Sequence, residues 1–330
     1  MSKFKNIPTN IISGFLGAGK TTAIQYLIQQ KPEAERWAVI VNEFGQIGID
    51  GALLENDTVA IKEIPGGCLC CVGSQSLNVG LNQIIKTVKP DRILIEPTGL
   101  GHPKKLIASL TGEYYKSVLD LRAVINLLDA RQLADKRYME HETFVAQIAV
   151  ADVLVANKID TYTEEDKQRF YDYALLCKPA KYKVAMVEYG RLLIEWLESE
   201  HSPERQVESS AAHNHHSAQS VCDLASADWL MVEGHGSGYT SIGWKVGAAY
   251  LFSQDKTLNW LERILQNPAV ERVKGVMQTD NGWVAINHTS HEREVVTRKA
   301  FSFSILEIIA LEQLPAKTLD VELNSFTIKN

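Results

Sequence analysis

The apolar run Ile7 to Ser13 leads straight into Gly14-Phe15-Leu16-Gly17-Ala18-Gly19-Lys20-Thr21-Thr22, and no other stretch of the chain narrows its fold so sharply. An apolar strand that ends in glycines and reopens as a helix is the context of a phosphate-binding P-loop. The glycines let successive backbone N–H groups converge on a phosphate at a helix N-terminus. Lys20 would neutralise charge on the β- and γ-phosphates, and the Thr21 hydroxyl would reach Mg²⁺. Gly14, Gly17, Ala18, Gly19, Lys20, Thr21 and Thr22 are thus the expected cradle. Lys20 and Thr21 are also expected to act in catalysis. The plainer alternative is a glycine turn that only joins strand to helix.

Further short apolar runs recur at Trp37 to Asn42, Val59 to Ile64, Arg92 to Glu96, Arg122 to Leu128, Asp152 to Ala156 and Lys183 to Val187, with helical stretches between them. Continuous Val/Ile/Leu strands are covered on both faces, the mark of a parallel sheet with crossover helices. Residues 1–196 are therefore expected to be α/β, a doubly wound, mostly parallel sheet of the P-loop NTPase kind. From Leu197 the periodicity fades into a polar, His-containing stretch, so residues 197–228 are expected to be a linker. Residues 229–330 are expected to form a smaller α+β domain. In it Tyr239 to Phe252 is strand-like, Thr257 to Gln266 is an amphipathic helix, and strands Val270 to Val276 and Gly282 to Asn287 flank an Asp280-Asn281-Gly282 turn. Two units suit a chain of 330 residues.

A net charge of −6 without a basic stripe argues against nucleic acid as a partner. No apolar run approaches the roughly 18 residues of a membrane span, and the polar start does not resemble a signal peptide, so a cytoplasmic protein is expected. Three of the five cysteines, Cys68, Cys70 and Cys71, crowd into one segment. That spacing is too tight for a disulfide framework and suits shared metal ligation by free thiols.

The base is read further along. Asn157-Lys158-Ile159-Asp160 follows a predicted strand, and an Asp carboxylate accepting from guanine N1–H and N2–H₂ would favour GTP over ATP. The alternative is a strand-end loop with Asp160 capping the next helix. Glu96-Pro97-Thr98-Gly99 ends another strand. There Glu96 would hold Mg²⁺ through water or orient the attacking water, and Gly99 would offer a backbone N–H to the γ-phosphate, unless Glu96 is a solvated strand terminus.

In an extended segment Cys68 and Cys70 point to one side and can share a Zn²⁺ ion at roughly 2.3 Å, while Cys71 needs a bend that Gly66 and Gly67 could supply. Inert core thiols are the alternative, and that reading is preferred for Cys177 and Cys222. Glu43, in the switch I position, offers a carboxylate to the same zinc or to Mg²⁺, or is an exposed strand-end acid. Asp50 is a weaker candidate. His213, His215 and His216 either collect a metal or belong to a solvated linker. His235 is read as a loop residue, and Trp244 and Trp260 as core.

Together these motifs resemble the CobW family of metallochaperone GTPases, most of all its YeiR-like zinc-binding members. The resemblance is carried by Val41-Asn42-Glu43-Phe44-Gly45, Gly48-Ile49-Asp50-Gly51, Lys62-Glu63-Ile64-Pro65-Gly66-Gly67-Cys68 and Ile95-Glu96-Pro97-Thr98-Gly99-Leu100-Gly101-His102-Pro103. It implies a GTPase that binds zinc through Cys68, Cys70 and Cys71 and couples nucleotide state to metal delivery, with a client metalloprotein as partner, a CobW-type C-terminal domain and a possible homo-oligomer. Family members often carry an acid soon after Asn-Glu-Phe-Gly, where this chain has Gln46. Ile159 replaces the small residue usual in the guanine motif. Rival readings are a zinc-buffering protein in which nucleotide is structural, and a P-loop kinase acting on a small metabolite.

Overall fold

The computed structural model describes residues 6–41, 59–63, 75–99, 101, 103–206, 228–236, 239–289, 293–298, 300 and 303–328. They fall in two compact units, Met1–Asn214 and His215–Asn330.

In the first unit the strands are β1 (Ile7–Gly14), β2 (Trp37–Val41), β3 (Val59–Glu63), β4 (Arg92–Glu96), β5 (Leu119–Leu128), β6 (Val153–Asn157) and β7 (Lys183–Val187). They form one parallel sheet in the order β3-β2-β4-β1-β5-β6-β7. The helices are α1 (Lys20–Gln29), α2 (Gln75–Val88), α3 (Pro103–Thr111), α4 (Lys136–Met139), α5 (Glu142–Val150) and α6 (Glu164–Leu176). Because side chains alternate along a strand, β1 to β5 each feed two cores. In β2, Ala38 and Ile40 pack with Leu81 and Ile107 on one side, and Trp37, Val39 and Val41 pack with Ile24 and Leu27 on the other. That double burial is why the strands read as unbroken apolar runs. The parallel arrangement also brings all the strand C-termini to one end, so Gly14, Glu96 and Asn157 meet there.

Two features of this unit differ from the sequence expectation. Strand β5 begins at Leu119 rather than Arg122, because Arg122 and Asp120, which break the apolar pattern, pair with each other at 2.6 Å on the sheet. The polar stretch expected as a linker also starts as packed chain. Glu200 bridges to Arg122. His201 and Arg205 are buried against Asp152, with His201 Nδ1 2.7 Å from Asp152 Oδ2 and Arg205 Nε donating to Oδ1 at 2.9 Å. Charged residues that look solvated in one dimension are here the partners of a buried carboxylate.

The second unit contains β8 (Trp229–Gly236), β9 (Tyr239–Gly247), β10 (Leu251–Phe252), α7 (Gln254–Leu265), β11 (Val270–Thr279), β12 (Gly282–Thr289), β13 (Arg293–Arg298), β14 (Phe303–Ala310), α8 (Ala316–Asn324) and β15 (Thr327–Ile328). An antiparallel path β13-β12-β11-β14-β9-β8 is extended by β10 beside β11 and by β15 beside β10. The single strand expected over Tyr239 to Phe252 is broken, since Tyr250 N–H donates to Gly247 O and closes a turn. His235 lies on β8 opposite Thr240, not in a loop. Trp244 and Trp260 are core residues, and Asp320 accepts from both Trp229 Nε1 and Trp244 Nε1 at 2.9 Å. Among the described residues no helix is long and apolar enough to cross a membrane.

Candidate functional site

The site begins where β1 stops. Gly14 has φ +152°, Gly17 +74° and Gly19 +89°, values at which an L side chain is strained. Space forbids one as well. A Cβ on Gly14 would lie 2.4 Å from Leu127 O, and one on Gly19 would lie 2.3 Å from Asn157 Nδ2. Gly19 precedes Lys20, the first residue of α1, and no side chain caps this helix. Its first N–H groups and the positive end of its dipole thus meet a bare glycine loop, the arrangement that binds an anion. Lys20 is 5% exposed and donates to Phe15 O at 3.3 Å, which folds its ammonium back over the loop.

Thr21, one residue into α1, donates its hydroxyl to Glu96 Oε1 at 3.0 Å and approaches Oε2 at 3.3 Å. Glu96 closes β4, the neighbour of β1, and is 1% exposed. A buried carboxylate beside a P-loop hydroxyl is an oxygen donor set of the kind Mg²⁺ takes. The Thr98 hydroxyl is also buried, without a hydrogen-bond partner among the described residues. Gly99 follows, so close to the P-loop that a Cβ there would lie 2.8 Å from Leu16 Cδ2 and 3.1 Å from Leu16 N. These features, with the glycine cradle, fit a nucleotide triphosphate and its magnesium.

Asn157 ends β6 and is 2% exposed. Its amide donates to Ala18 O at 3.0 Å and its Oδ1 accepts from Gly190 N–H at 3.0 Å. One side chain thus ties the cradle to the loops after β6 and β7. Lys158 takes the left-handed conformation, φ +71°, which turns the chain so that Asp160 stands exposed. The Lys158 ammonium lies 4.0 Å from Asp129 Oδ2, just past β5. Tyr162 donates its hydroxyl to Asn157 O and accepts from Ala130 N–H. Burial first, and then the Asp129 charge, raise the Tyr162 pKa, so this phenol stays a donor at every physiological pH.

Cys68, Cys70, Cys71, Glu43, Gln46, Asp50, His213, His215, His216 and Cys222 lie outside the described residues. Among the described residues no three His, Cys, Asp or Glu side chains form a metal-holding group. Cys177 sits half-buried after α6, its pKa raised by burial.

Several residues at the site escape a reading of the sequence. Gln147, Tyr162, Asp129 and His141 sit in no motif and are brought in only by the fold. Gly190 had a signal, a glycine just past an apolar strand. It has φ +66°, and a Cβ there would lie 2.6 Å from Ala23 N.

Cradle, buried acid and strand-end asparagine converge at the C-terminal edge of one parallel sheet, and they place the molecule in the P-loop nucleotide-binding class. Within that class the chain belongs to the CobW/HypB/UreG family, whose nucleotide-binding domain matches residues 8–182. The zinc chaperone YeiR of Escherichia coli (strain K12) is 39% identical over 295 residues, 88% of this chain and 88% of that protein. The zinc chaperone CobW of Pseudomonas aeruginosa is 30% identical over 223 residues, 58% of this chain and 59% of that one. Among solved structures, the Zn(II)-bound YjiA GTPase from E. coli aligns over 98% of this chain and 99% of its own at 18% identity, with a TM-score of 0.45.

Proposed function

We propose that this protein is a cytoplasmic zinc-binding GTPase that hydrolyses GTP to GDP and phosphate and couples its nucleotide state to the binding and transfer of zinc to a client metalloprotein. The observation that carries the GTPase part is the Thr21–Glu96 pair, a P-loop hydroxyl and a buried acid held at 3.0 Å beside the glycine cradle. The family membership and the similarity to a zinc chaperone across most of both chains support the zinc part.

In this reading Gly14 to Thr22 cradle the phosphates, and Lys20 offsets charge that grows on the β- and γ-phosphate oxygens as the bond breaks. Thr21 and Glu96 would hold Mg²⁺, whose chemistry is to neutralise the phosphate oxygens. Alternatively Glu96 orients the attacking water, and the Gly99 N–H meets the γ-phosphate. Asp160 accepts from the guanine edge, while Asn157 keeps the base loop and the cradle in register. Zinc is the cargo, taken by Cys68, Cys70 and Cys71 with Glu43 as a further donor. In sequence Glu43 follows β2 and the cysteine segment follows β3, the next strand, so nucleotide contacts in the switch I position would bias the thiolate geometry.

Phosphate release from GTP by the purified protein, with and without added zinc, tests this. The expected result is turnover that zinc alters and that Lys20→Ala abolishes. Turnover absent from the wild type, or unchanged in Lys20→Ala, would overturn it. Metal binding without turnover is what a buffering protein would give.

A further inference from the structure

Gln147, on α5, is 1% exposed, and both of the groups it faces are carbonyls of the loop after β4. Its Nε2 donates to Gly99 O at 2.9 Å and to Gly101 O at 3.3 Å. Two acceptors require the donor end of the amide, so its orientation is settled by chemistry. Its Oε1 is then left buried without a hydrogen-bond partner among the described residues. A buried amide that spends its donor end on two carbonyls is constrained by what it holds.

What it holds is the loop that abuts the cradle. Gly101 N–H donates to Thr98 O at 2.9 Å, which closes a turn, and Gly99 rests on Leu16 with no room for a Cβ. With its carbonyl fixed on one side and its Cα against the P-loop on the other, Gly99 has little freedom left. Helix α5 is itself anchored to the same loop. Phe15 of the cradle packs edge-on against Tyr138, His141 and Phe144, with ring centroids 5.6, 5.1 and 5.6 Å away. His141 Nδ1 caps α5 by accepting from Thr143 and Phe144 N–H at 3.2 and 3.3 Å. Lys181 donates to Ile148 O at 2.5 Å and to Ala149 O at 3.2 Å at the other end.

We infer that Gln147 is a positioning residue for the γ-phosphate: by fixing the Gly99 and Gly101 carbonyls from a helix braced on Phe15, it sets the Gly99 N–H where a triphosphate, and not a diphosphate, is contacted. The inference rests on the proposed GTPase reading. It assigns that site's discrimination between GTP and GDP to a side chain that touches neither. Removing the amide leaves Gly14 to Thr22 and Asn157 to Asp160 in place, so GDP binding is retained while the extra affinity for the triphosphate falls.

The test compares GDP with a non-hydrolysable GTP analogue on the full-length wild type and on Gln147→Met, which keeps the length and removes the donor. In the variant, analogue affinity is expected to fall about tenfold while GDP affinity changes by less than about twofold, the size of effect expected for two lost hydrogen bonds at one contact. Equal losses for both nucleotides would show a merely structural role and overturn the inference. Gln147→Glu provides a second readout that does not depend on the first variant folding. Ionised at about pH 8 it cannot donate and repels both carbonyls; burial raises the pKa of such a carboxyl, so acidification toward about pH 5 restores the neutral form, whose O–H donates to one of the carbonyls. The ratio of analogue to GDP affinity, relative to wild type at each pH, should therefore recover on acidification, and a ratio that does not move counts against the inference. A wild type that neither hydrolyses GTP nor prefers the analogue would remove the GTPase reading itself, whatever the variants do.

Discussion

Asn157 and Ala18 are 139 positions apart, yet the asparagine amide donates to the alanine carbonyl at 3.0 Å, so the end of β6 is tied to the glycine loop after β1. The same amide accepts from Gly190. Replacing it with alanine leaves Ala18 O and Gly190 N–H short of a buried partner, at a cost of about 2 kcal/mol. Asn157→Ala should therefore lower the unfolding midpoint and weaken GTP and GDP by similar factors, as measured by denaturation and by nucleotide titration. This equal loss contrasts with the selective loss expected at Gln147.

Thr21 and Glu96 meet beside the glycine loop, hydroxyl to carboxylate. If their shared role is to hold Mg²⁺, Glu96→Ala should slow GTP hydrolysis by about 100-fold, the loss of about 2.7 kcal/mol of charge stabilisation, with a smaller change in GDP affinity. Single-turnover phosphate release checks it. Undiminished hydrolysis would move the metal elsewhere.

Base choice has its own variant. Asp160 is exposed, and Lys158 in its left-handed turn presents it. Asp160→Asn should weaken GTP and shift preference toward xanthine nucleotides, whose 2-oxo group prefers a donor. Competition between GTP and XTP reports the result, and unchanged GTP affinity would take the guanine site away from this loop.

The packed start of the expected linker makes a prediction about stability. Asp152 is buried with His201 and Arg205, so a fragment ending at residue 196 leaves that carboxylate without them. Stripping the partners from a buried charge costs about 3 kcal/mol or more. A fragment ending at 206 should unfold at a clearly higher denaturant concentration than one ending at 196, and equal midpoints would show the segment to be ornament.

Lys181 supplies a pH dependence. Burial pulls its ammonium down to about 8, although Ile148 O, Ala149 O and Ala151 O all accept from it. An unfolded lysine titrates near about 10.4, so between these values the unfolded chain holds a proton that the folded chain has released. The unfolded state then binds more protons, and this group's contribution to stability rises with pH across that window. The stability of wild type minus that of Lys181→Met, from urea unfolding, should increase from about pH 8 to about pH 10. A flat or falling difference would mean that the three carbonyls outweigh the burial.

The sheet was legible because its central strands β2, β4 and β6 are buried along their whole length and so read as uninterrupted runs. β4 and β7 fall on the expected residues. The glycine loop between β1 and α1 was legible because its glycines take conformations that few other residues adopt. The break after Gly247 was not, since a backbone turn of Ala-Ala-Tyr has no marker in composition. The packing of His201 and Arg205 was hidden because polar residues announce solvent unless the buried acid that receives them, 49 and 53 positions earlier, is known. Gln147 is a sharper case. A lone glutamine among the apolar residues of α5 carries no signal, and its proposed role comes only from two carbonyls 48 and 46 positions away.

In the proposed function nucleotide state governs the metal site. The most direct measurement is zinc affinity, by competition with a chromophoric chelator, with GDP bound and with a non-hydrolysable GTP analogue bound, on the wild type and on a Cys68→Ser, Cys70→Ser, Cys71→Ser variant. The account requires the wild-type affinities to differ between the two nucleotides and the difference to vanish with the thiols. Equal zinc affinity in both states, or a difference that survives loss of the three cysteines, would contradict it.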